Sequence, residues 1–486
     1  MSGTDNIKHL YFLGIGGIGM SALARYFAQK GCHVAGYDRT RSPLTAALEK
    51  EGIHIVFDGE DKGAEIQRIG KNMPPIGTLV VRTPAVPEDE TLYIWLRENG
   101  YNIVKRAELL GIVSRMPHKN ADGTCSRTKA LCVAGTHGKT TTSTLLAHIL
   151  HNSSKGANAF LGGISNNTGS NLLIDLNSNL VVVEADEFDR SFHRLTPYMS
   201  VITSIDPDHL DIYGSAEAYQ EGFDIYAGLV EDTVILHKGC RLNNPRCRVL
   251  TYSATEKADF MALNIRAGGG SIVFDLLAPD CTTTDGRRDA VTIKDIKLGV
   301  PAWINIENAV AAMAVAWLNG ATEDELKNGV ASFKGVYRRF DVHISTPALT
   351  YIDDYAHHPT ELQASLMSVR KIYPDRRLTA VFQPHLYSRT RDFMDDFAKV
   401  LATADDLLLL PVYPARELPI EGVTSDKLAE KCRQYGNKKA EVIQKAALAK
   451  RLKELLEDNT PRVIMTLGAG DIDRLVPDLT MQLKKL

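Results

Sequence analysis

Two glycine-rich segments of the chain have the residue types and the spacing of phosphate-binding loops. Residues 14–19 fit the pattern G-x-G-x-x-G, and residues 134–142 contain the sequence Gly-Lys-Thr. Each segment follows an apolar run that is typical of a strand and precedes a stretch that is typical of a helix. Glycine lets the backbone approach a phosphate closely, and the first N–H groups of the helix face the anion. The sequence therefore predicts two sites for phosphorylated ligands.

The loop at residues 14–19 predicts a diphosphate without identifying the rest of the ligand. Adenine, nicotinamide or a UDP-sugar could be attached to that diphosphate. Asp38 stands at the end of the next predicted strand, where an acidic residue either binds a ribose hydroxyl or simply ends the strand. A tight turn that binds no ligand is also compatible with so short a motif.

The loop at residues 134–142 predicts a nucleoside triphosphate. It departs from the usual P-loop spacing, because Val133 stands where the first glycine is expected and Gly135 follows later. The chemistry of the loop is kept, since Lys139 would reach the terminal phosphates and the Thr140 hydroxyl would bind Mg²⁺. The alternative is a chance arrangement of a lysine and threonines at the start of a helix.

Acidic residues at the ends of later strands supply candidates for the metal site. Glu184 ends an apolar run, and Asp186, Glu187 and Asp189 follow it; His209 lies in the sequence DPDHLD. Any one of these carboxylates could instead belong to a solvated loop, and a lone histidine could be structural. Together with Lys139 they predict ATP with Mg²⁺. That prediction argues against a simple dehydrogenase, because hydride transfer does not require ATP.

Alternating strand and helix patterns in three successive segments predict an α/β protein of three domains. The predicted boundaries are residues 1–118 for a Rossmann-like domain, 119–335 for a P-loop ATPase-type domain, and 336–486 for a second Rossmann-like domain. Short strands near residues 230–300 predict a small antiparallel patch on the central parallel sheet. The polar segment at residues 117–128 is expected to be a loop or a domain boundary.

Composition indicates an ordinary globular protein. The chain has 486 residues, 56 basic and 59 acidic side chains and seven scattered cysteines, which favours several domains and a reduced compartment. We expect no nucleic-acid partner and no membrane insertion, because neither a basic surface nor a long apolar run is evident. The prediction is a cytoplasmic protein that is a monomer or a weak homodimer.

Seven motifs in order along the chain resemble those of the Mur ligases, most closely the branch that adds alanine. They are GIGGIGMSALA, GTHGKTTT, EADEFDRSF, DPDHLDIYG, GVYRRFD, DDYAHHPTE and FQPHLYSRTRDF. The resemblance implies that the first loop holds the diphosphate of a UDP-sugar and that ATP and Mg²⁺ bind the central domain. It further implies that an amide bond forms between the lactyl carboxylate of UDP-N-acetylmuramate and L-alanine, through an acyl phosphate. This reaction would serve peptidoglycan synthesis, and with it cell shape and division.

The resemblance also implies roles for individual residues. The residues that would contact the UDP-sugar are Gly16, Gly17, Ile18, Gly19, Met20, Thr83, Pro84 and Arg106. The residues that would contact ATP are Gly135, Thr136, His137, Gly138, Lys139, Thr140, Thr141, Asn308, Arg339 and Asp353. The metal ligands would be Thr140, Glu184 and His209. The residues around the incoming alanine would be Tyr355, His357 and Arg389. The catalytic residues would be Lys139, Glu184, His209, His357 and Arg389, with His357 as the candidate base.

Two departures from the family pattern leave alternatives open. Residues 216–226 lack a lysine that some relatives use to support the second metal ion, and Leu386 stands where many relatives have a basic residue. Contact with the carboxylate of the amino acid would then fall on Arg389 or Arg391. Within the family, the alternative is a ligase that joins a murein peptide to the same UDP-sugar. Outside it, the alternatives are a nicotinamide-dependent oxidoreductase and a non-catalytic nucleotide switch.

Overall fold

The computed structural model describes residues 7–120, 122–208, 210–415 and 417–485. The chain divides into two compact units. The first comprises Met1–Met261, Ala278–Val291 and Val310–Gly329, and the second comprises Ala262–Leu277, Thr292–Ala309 and Val330–Leu486. In the described ranges, no helix has the length and hydropathy needed to cross a bilayer.

The amino-terminal part of the first unit is a parallel sheet with helices between its strands. In chain order its elements are β1 His9–Leu13, α1 Ile18–Gln29, β2 His33–Asp38, α2 Pro43–Lys50, β3 His54–Phe57, α3 Lys62–Asn72, β4 Thr78–Arg82, α4 Thr91–Glu98, β5 Asn102–Lys105 and α5 Arg106–Val113. The strand order is β3-β2-β1-β4-β5, and each neighbouring pair is parallel. The order reverses at β1, so the loop at residues 14–19 lies at the switch point where such sheets bind ligands.

The apolar run of β1 explains why this strand is central. Leu10 and Phe12 pack into one hydrophobic cluster, and Tyr11 and Leu13 pack into another. Successive side chains of a strand point to opposite faces. A strand that is apolar on both faces is therefore covered by helices on both faces, as parallel strands are.

The segment at residues 117–128 differs from the predicted loop. It contains the antiparallel strands β6 Pro117–Lys119 and β7 Cys125–Arg127. The Asn120 side chain donates to the Thr124 hydroxyl at 2.8 Å, and the Thr124 N–H donates to Asp122 at 2.9 Å. The polar residues that suggested a loop thus form the turn of a short hairpin.

The second sheet of the first unit carries the second glycine-rich loop. Its elements in chain order are β8 Lys129–Ala134, α6 Lys139–His151, β9 Asn158–Ser165, β10 Ser170–Leu173, β11 Leu180–Glu184, a 3₁₀ helix Phe188–Arg194, β12 Met199–Ile202, α7 Leu210–Tyr213, α8 Ala216–Ala227, β13 Thr233–His237 and β14 Arg248–Ser253. The strand order is β10-β9-β11-β8-β12-β13-β14. All of these pairs are parallel except the hairpin of β9 and β10. The carboxyl ends of β8, β11 and β12 therefore meet at one edge of the sheet.

Part of the region near residues 230–300 differs from the predicted antiparallel patch. The elements that follow β14 are β15 Phe260–Gly268, β16 Ser271–Ala278, β17 Cys281–Thr283, β18 Gly286–Arg288, β19 Val291–Lys297, α9 Ile304–Leu318 and α10 Glu323–Ser332. β13, β14 and the first residues of β15 pair in parallel, whereas β17 and β18 form an antiparallel hairpin. β13 is buried at four consecutive positions, which suits a parallel sheet covered on both faces.

The second unit contains a third, mostly parallel sheet. Its elements in chain order are β20 Asp341–Ser345, β21 Leu349–Asp354, α11 Pro359–Ile372, β22 Arg377–Phe382, α12 Tyr387–Asp392, α13 Met394–Leu401, β23 Asp406–Leu409, α14 Ser425–Gln434, β24 Glu441–Val442, α15 Lys445–Leu456, β25 Arg462–Leu467, a 3₁₀ helix Asp471–Leu475 and α16 Val476–Leu483. The strand order is β20-β21-β25-β22-β23-β24, and only the pair β20–β21 is antiparallel. Of the residues predicted to meet an amino acid, Tyr355 and His357 lie in the loop after β21, and Arg389 lies in α12, which follows β22.

Candidate functional site

The first glycine-rich loop connects β1 to α1 in a conformation that requires glycine. Gly14 has φ +86°, and a Cβ atom at this position would lie 2.3 Å from Cγ2 of Thr83. The N–H groups of Gly14 and Ile15 both donate to the carbonyl of Tyr37, at 2.8 and 3.0 Å. Gly17 is the N-cap of α1, and among the described residues no side chain caps this helix. The N–H groups of its first turn could therefore bind an anion.

Asp38 is engaged with backbone groups of its own neighbourhood. Its Oδ2 accepts from the Gly16 N–H at 2.7 Å, and its Oδ1 accepts from the Thr40 N–H at 3.3 Å. The carboxylate thus ends β2 and fixes the loop, which is the simpler of its two predicted roles. Each carboxylate oxygen can accept a second hydrogen bond, so these contacts do not test the predicted ribose contact.

A cavity of about 200 Å³ brings the first loop together with one of the predicted metal ligands. Its lining includes Ile18 and Gly19 from α1, Arg106 from α5, and Glu184 and Asp186 at the end of β11. A Cβ atom on Gly19 would lie 2.4 Å from Nη1 of Arg106, so the guanidinium lies directly against the loop. Nη2 of Arg106 is 3.9 Å from Oδ2 of Asp186. The residues predicted to bind a diphosphate and those predicted to bind a metal ion therefore border one space.

Two glycines and Ser204, which follows β12, fix the conformation of the second loop. Gly135 has φ +129°, and Gly138, the N-cap of α6, has φ +81°. The N–H of Thr136 donates to the carbonyl of Ser204 at 3.1 Å, and the N–H of His137 donates to the hydroxyl of the same serine at 2.9 Å. The unusual glycine spacing therefore still gives a strand–loop–helix connection of the P-loop kind.

Thr140 and Glu184 lie together as the sequence predicted for a metal site. The Thr140 hydroxyl donates to Oε1 of Glu184 at 3.0 Å, and Oε2 accepts from the Gly162 N–H at 3.2 Å. Mg²⁺ prefers oxygen ligands and commonly takes one or two from protein, with the others from phosphates and water. The two oxygens fit that ion, although no group of three His, Cys, Asp or Glu side chains that could hold a metal ion occurs in the part of the chain that the structure describes. His209, the third predicted ligand, lies outside the described residues.

Lys139 is paired with a carboxylate to which sequence reasoning gave no separate role. Its Nζ donates to Oε1 of Glu187 at 2.8 Å and to the carbonyls of Gly135 and Thr136 at 2.6 and 3.2 Å. Burial raises the pKa of Glu187, and the neighbouring Lys139 opposes that rise. The position of Glu187 three residues after Glu184 was the available signal, but it did not distinguish Glu187 from its acidic neighbours.

The four carboxylates after β11 have four different partners. Glu184 binds Thr140, Asp186 faces Arg106, Glu187 binds Lys139, and Asp189 accepts from the Ser191 hydroxyl. Asp189 and the next residue both have positive φ values, 49° and 60°. This tight turn separates side chains that are adjacent in sequence and directs them to different contacts.

In the second unit, Asp353 pairs with Arg338, the neighbour of Arg339. Nε of Arg338 lies 3.4 Å from Oδ2 of Asp353, and the guanidinium groups of Arg338 and Arg339 lie 5.1 and 5.0 Å from the centre of the Tyr355 ring. Asp353 is 1% exposed and accepts from the Thr466 hydroxyl at 2.6 Å, and burial raises its pKa. The predicted contacts of Arg339 and Asp353 with ATP stay predictions.

The residues predicted to meet an amino acid form one cluster at the ends of β21 and β22. The rings of Tyr355 and His357 are 5.0 Å apart, and His385 lies 6.2 Å from His357. Nη1 of Arg389 is 3.5 Å from Nδ1 of His385. Burial lowers the pKa of His357; burial, with Arg389 and His357 nearby, lowers the pKa of His385 to about 4. His385 was not among the predicted site residues, although it stands in the quoted FQPH motif.

Three further residues have local roles in the described structure. His358, the neighbour of the candidate base His357, is the N-cap of α11, and its Nδ1 accepts from the Thr360 N–H at 3.4 Å. Asn308 is buried in α9 and donates to the Asn305 side chain at 3.0 Å. Leu386 has φ +70° at the start of α12. The predicted contact of Asn308 with ATP stays a prediction.

Comparison with known proteins gives matches along nearly the whole chain. Three family models match: "Mur ligase family, catalytic domain" at residues 9–117, "Mur ligase middle domain" at 133–316, and "Mur ligase, glutamate ligase domain" at 338–470. The UDP-N-acetylmuramate–L-alanine ligase of Parabacteroides distasonis is 48% identical over 480 residues, covering 97% of this chain and 96% of that protein. The protein of the same name from Porphyromonas gingivalis is 48% identical over 488 residues, covering 99% and 100%.

Solved structures show the same fold. The crystal structure of a UDP-N-acetylmuramate–alanine ligase from Thermotoga maritima superposes with a TM-score of 0.73 at 26% identity, covering 98% of this chain and 99% of that one. A murein peptide ligase from Psychrobacter arcticus superposes with a TM-score of 0.59 at 22% identity, covering 98% and 99%. The second likeness concerns the fold alone.

The close contact at Gly14 predicts a large cost for any side chain there. Gly14→Ala and Gly59→Ala both place alanine at a φ near +87°, but a Cβ at Gly59 has no heavy atom within 4 Å. We expect Gly59→Ala to lower the free energy of unfolding by about 1 kcal/mol and Gly14→Ala by about 2 kcal/mol more, because Thr83 is β-branched and cannot easily move aside. Urea unfolding of the two variants measures both losses. Equal losses would contradict the tight contact.

The low pKa of His385 predicts a neutral ring throughout the physiological range. NMR of the ¹³C-histidine-labelled protein should show its midpoint near pH 4, with the signal identified by its loss in His385→Gln. The unfolded ring takes a proton at a higher pH than the folded ring, so His385 costs stability as the pH falls from about 6.5 toward 4. The free energy of unfolding of His385→Gln minus that of the wild type should therefore be larger at pH 5 than at pH 7.5. A relative stability that does not change between these pH values would disagree with the buried neutral ring.

Proposed function

Since this chain belongs to the Mur ligase family, we propose that it joins L-alanine to UDP-N-acetylmuramate, with conversion of ATP to ADP and phosphate, in peptidoglycan precursor synthesis. The relatives at 48% identity carry that name over almost their full lengths. The observation that carries the proposal is the cavity bordered by Gly19, Arg106 and Glu184. It lets a diphosphate-bearing acid lie beside a nucleotide and metal site, which is what activation of that acid by ATP requires.

The first loop would bind the diphosphate of the UDP-sugar. The uncapped first turn of α1 offers N–H groups, and the guanidinium of Arg106 lies against Gly19. A fixed cation beside a helix N-terminus stabilises a dianion more than either group alone. The match of residues 9–117 to the Mur ligase family supports this proposal over the nicotinamide alternative.

The second loop would bind ATP. The backbone of residues 135–138 would surround the phosphates, and Lys139 would neutralise charge on the phosphoryl group that is transferred. Thr140 and Glu184, with His209 as a further ligand, would hold Mg²⁺. The ion would supply positive charge between two reactants that are both anionic.

The chemistry then follows in two balanced steps. An oxygen of the lactyl carboxylate attacks the γ-phosphorus, the bond to the β-phosphate oxygen breaks, and ADP leaves. The amine of L-alanine attacks the carbonyl carbon of the acyl phosphate, and phosphate leaves as the amide forms. The ammonium group of free L-alanine must first lose a proton to become the attacking amine. Burial lowers the pKa of His357, so its ring is neutral and can accept that proton.

The cluster in the second unit would receive the amino acid. Arg389 is proposed to hold the carboxylate of L-alanine, since Leu386 supplies no charge at the position after His385. Tyr355 and the rings of His357 and His385 form one side of this cluster. A small apolar side chain suits such a ring-lined surface. We propose that the enzyme works in the cytoplasm as a monomer or weak dimer; all seven of its cysteines are free thiols, as is usual in a reducing compartment.

Phosphate release tests the proposal directly. We expect release only when ATP, UDP-N-acetylmuramate and L-alanine are all present, and much less when the murein tripeptide replaces L-alanine. Lys139→Ala should lower kcat by about 10²–10³-fold, because it removes a charge that acts on the transferring group, while binding of the UDP-sugar by calorimetry stays unchanged. Lys257→Ala, at an exposed lysine, is the matched control. Full turnover in Lys139→Ala, or turnover with the tripeptide alone, would refute the assignment.

A further inference from the structure

The ammonium of Lys139 is fully engaged before any nucleotide binds. An ammonium has three N–H donors, and Nζ of Lys139 has three acceptors within 3.2 Å. Two are carbonyl oxygens of its own loop, those of Gly135 and Thr136, and the third is Oε1 of Glu187. A phosphate that is to contact Lys139 must therefore exchange with at least one of these groups.

Glu187 is the only charged group among those three acceptors, and its side chain is buried. Its side chain is 2% exposed, and that of Lys139 is 14% exposed. When one member of such a buried pair is removed, the remaining charge is left without compensation. A phosphate brought to the same ammonium would provide that compensation in place of the carboxylate.

The backbone that carries Glu187 is fixed independently of the loop that carries Lys139. The carbonyl of Glu187 accepts from the Tyr213 hydroxyl at 2.7 Å and from the Arg190 N–H at 2.9 Å. The guanidinium of Arg190 lies 5.1 Å from the centre of the Tyr213 ring. These contacts hold the Glu187 backbone through groups that lie outside the loop of Lys139.

We propose that Glu187 is a positioning residue that occupies Lys139 in the absence of nucleotide and competes with the phosphates of ATP and ADP for its ammonium. The proposal rests on the nucleotide-binding role of Lys139 given above. It differs from the role of Glu184, which contacts Thr140 and belongs to the metal site. Its consequence is that part of the attraction between Lys139 and a phosphate is used to displace Glu187, which weakens nucleotide binding and eases the release of ADP.

Replacement of Glu187 by glutamine tests the effect of the negative charge without changing the size of the side chain. Glu187→Gln keeps the size of the side chain and one hydrogen-bond acceptor, but it leaves the Lys139 ammonium without a counter-ion. We expect the Kd for ADP, measured by calorimetry, to fall about three- to tenfold, because the phosphates then meet an uncompensated charge. The thermal midpoint of the nucleotide-free variant should fall, and ADP should raise it by more than it raises that of the wild type.

Two further variants make the test specific. Glu187→Asp keeps the charge at a greater distance, so its Kd for ADP should lie between those of the wild type and Glu187→Gln. Glu221→Gln removes an exposed carboxylate on α8 and should leave the Kd for ADP unchanged. Binding of the UDP-sugar should be equal in all variants, which a general loss of structure would not allow.

An unchanged or weaker affinity of Glu187→Gln for ADP would overturn the proposal, since Glu187 would then support nucleotide binding instead of competing with it. If Glu187→Gln does not fold, Tyr213→Phe serves in its place. It removes one bond that holds the Glu187 backbone and should tighten ADP binding by a smaller factor, and no tightening would again contradict the proposal. A wild type that neither binds ADP nor releases phosphate would instead overturn the proposed function.

Discussion

Repulsion between anions is the constraint on which the rest of this structure depends. A diphosphate ester that carries a carboxylate and a triphosphate nucleotide repel each other, and a protein that makes them react must hold both in a small space. The first unit meets this constraint by placing the amino termini of α1 and α6 at the carboxyl ends of two parallel sheets. Arg106 at one helix and Lys139 at the other add full positive charges to the partial charges of the backbone.

The acidic segment at residues 184–189 places carboxylates against the positive groups of the site. Four carboxylates within six residues contact a hydroxyl, a guanidinium, an ammonium and a serine. An excess of negative charge beside two anionic ligands would be unfavourable unless each carboxylate had its own partner. The positive φ values of Asp189 and Arg190 allow the chain to turn sharply enough for this distribution.

The second unit uses neutral groups where the first unit uses charged ones. Burial lowers the pKa of both His357 and His385, so Arg389 faces imidazoles that do not repel it. A neutral ring accepts a proton, and a fixed guanidinium attracts a carboxylate. The cluster therefore combines two neutral imidazoles with one fixed positive charge.

The fold class, the family and the two glycine-rich strand–helix connections could be predicted from the sequence alone. Apolar runs followed by glycine fix where strands end and helices begin, because these preferences act between residues that are near in sequence; α6, for example, begins at the predicted Lys139. Turn residues predicted strand pairing less well. The polar segment at 117–128 was predicted to be a loop and is a hairpin. β13 and β14 were predicted to be antiparallel and are parallel.

Only the tertiary structure decided which charged residues meet. Sequence order did not show that Glu187 meets Lys139 or that Arg338 meets Asp353, because neighbouring side chains leave the backbone in different directions. It also could not show that Asp38 binds Gly16, nor that His385 joins His357, since these contacts join residues from separate strands. Such pairings depend on how the sheets place the ends of distant strands side by side, and that placement is a property of the whole fold.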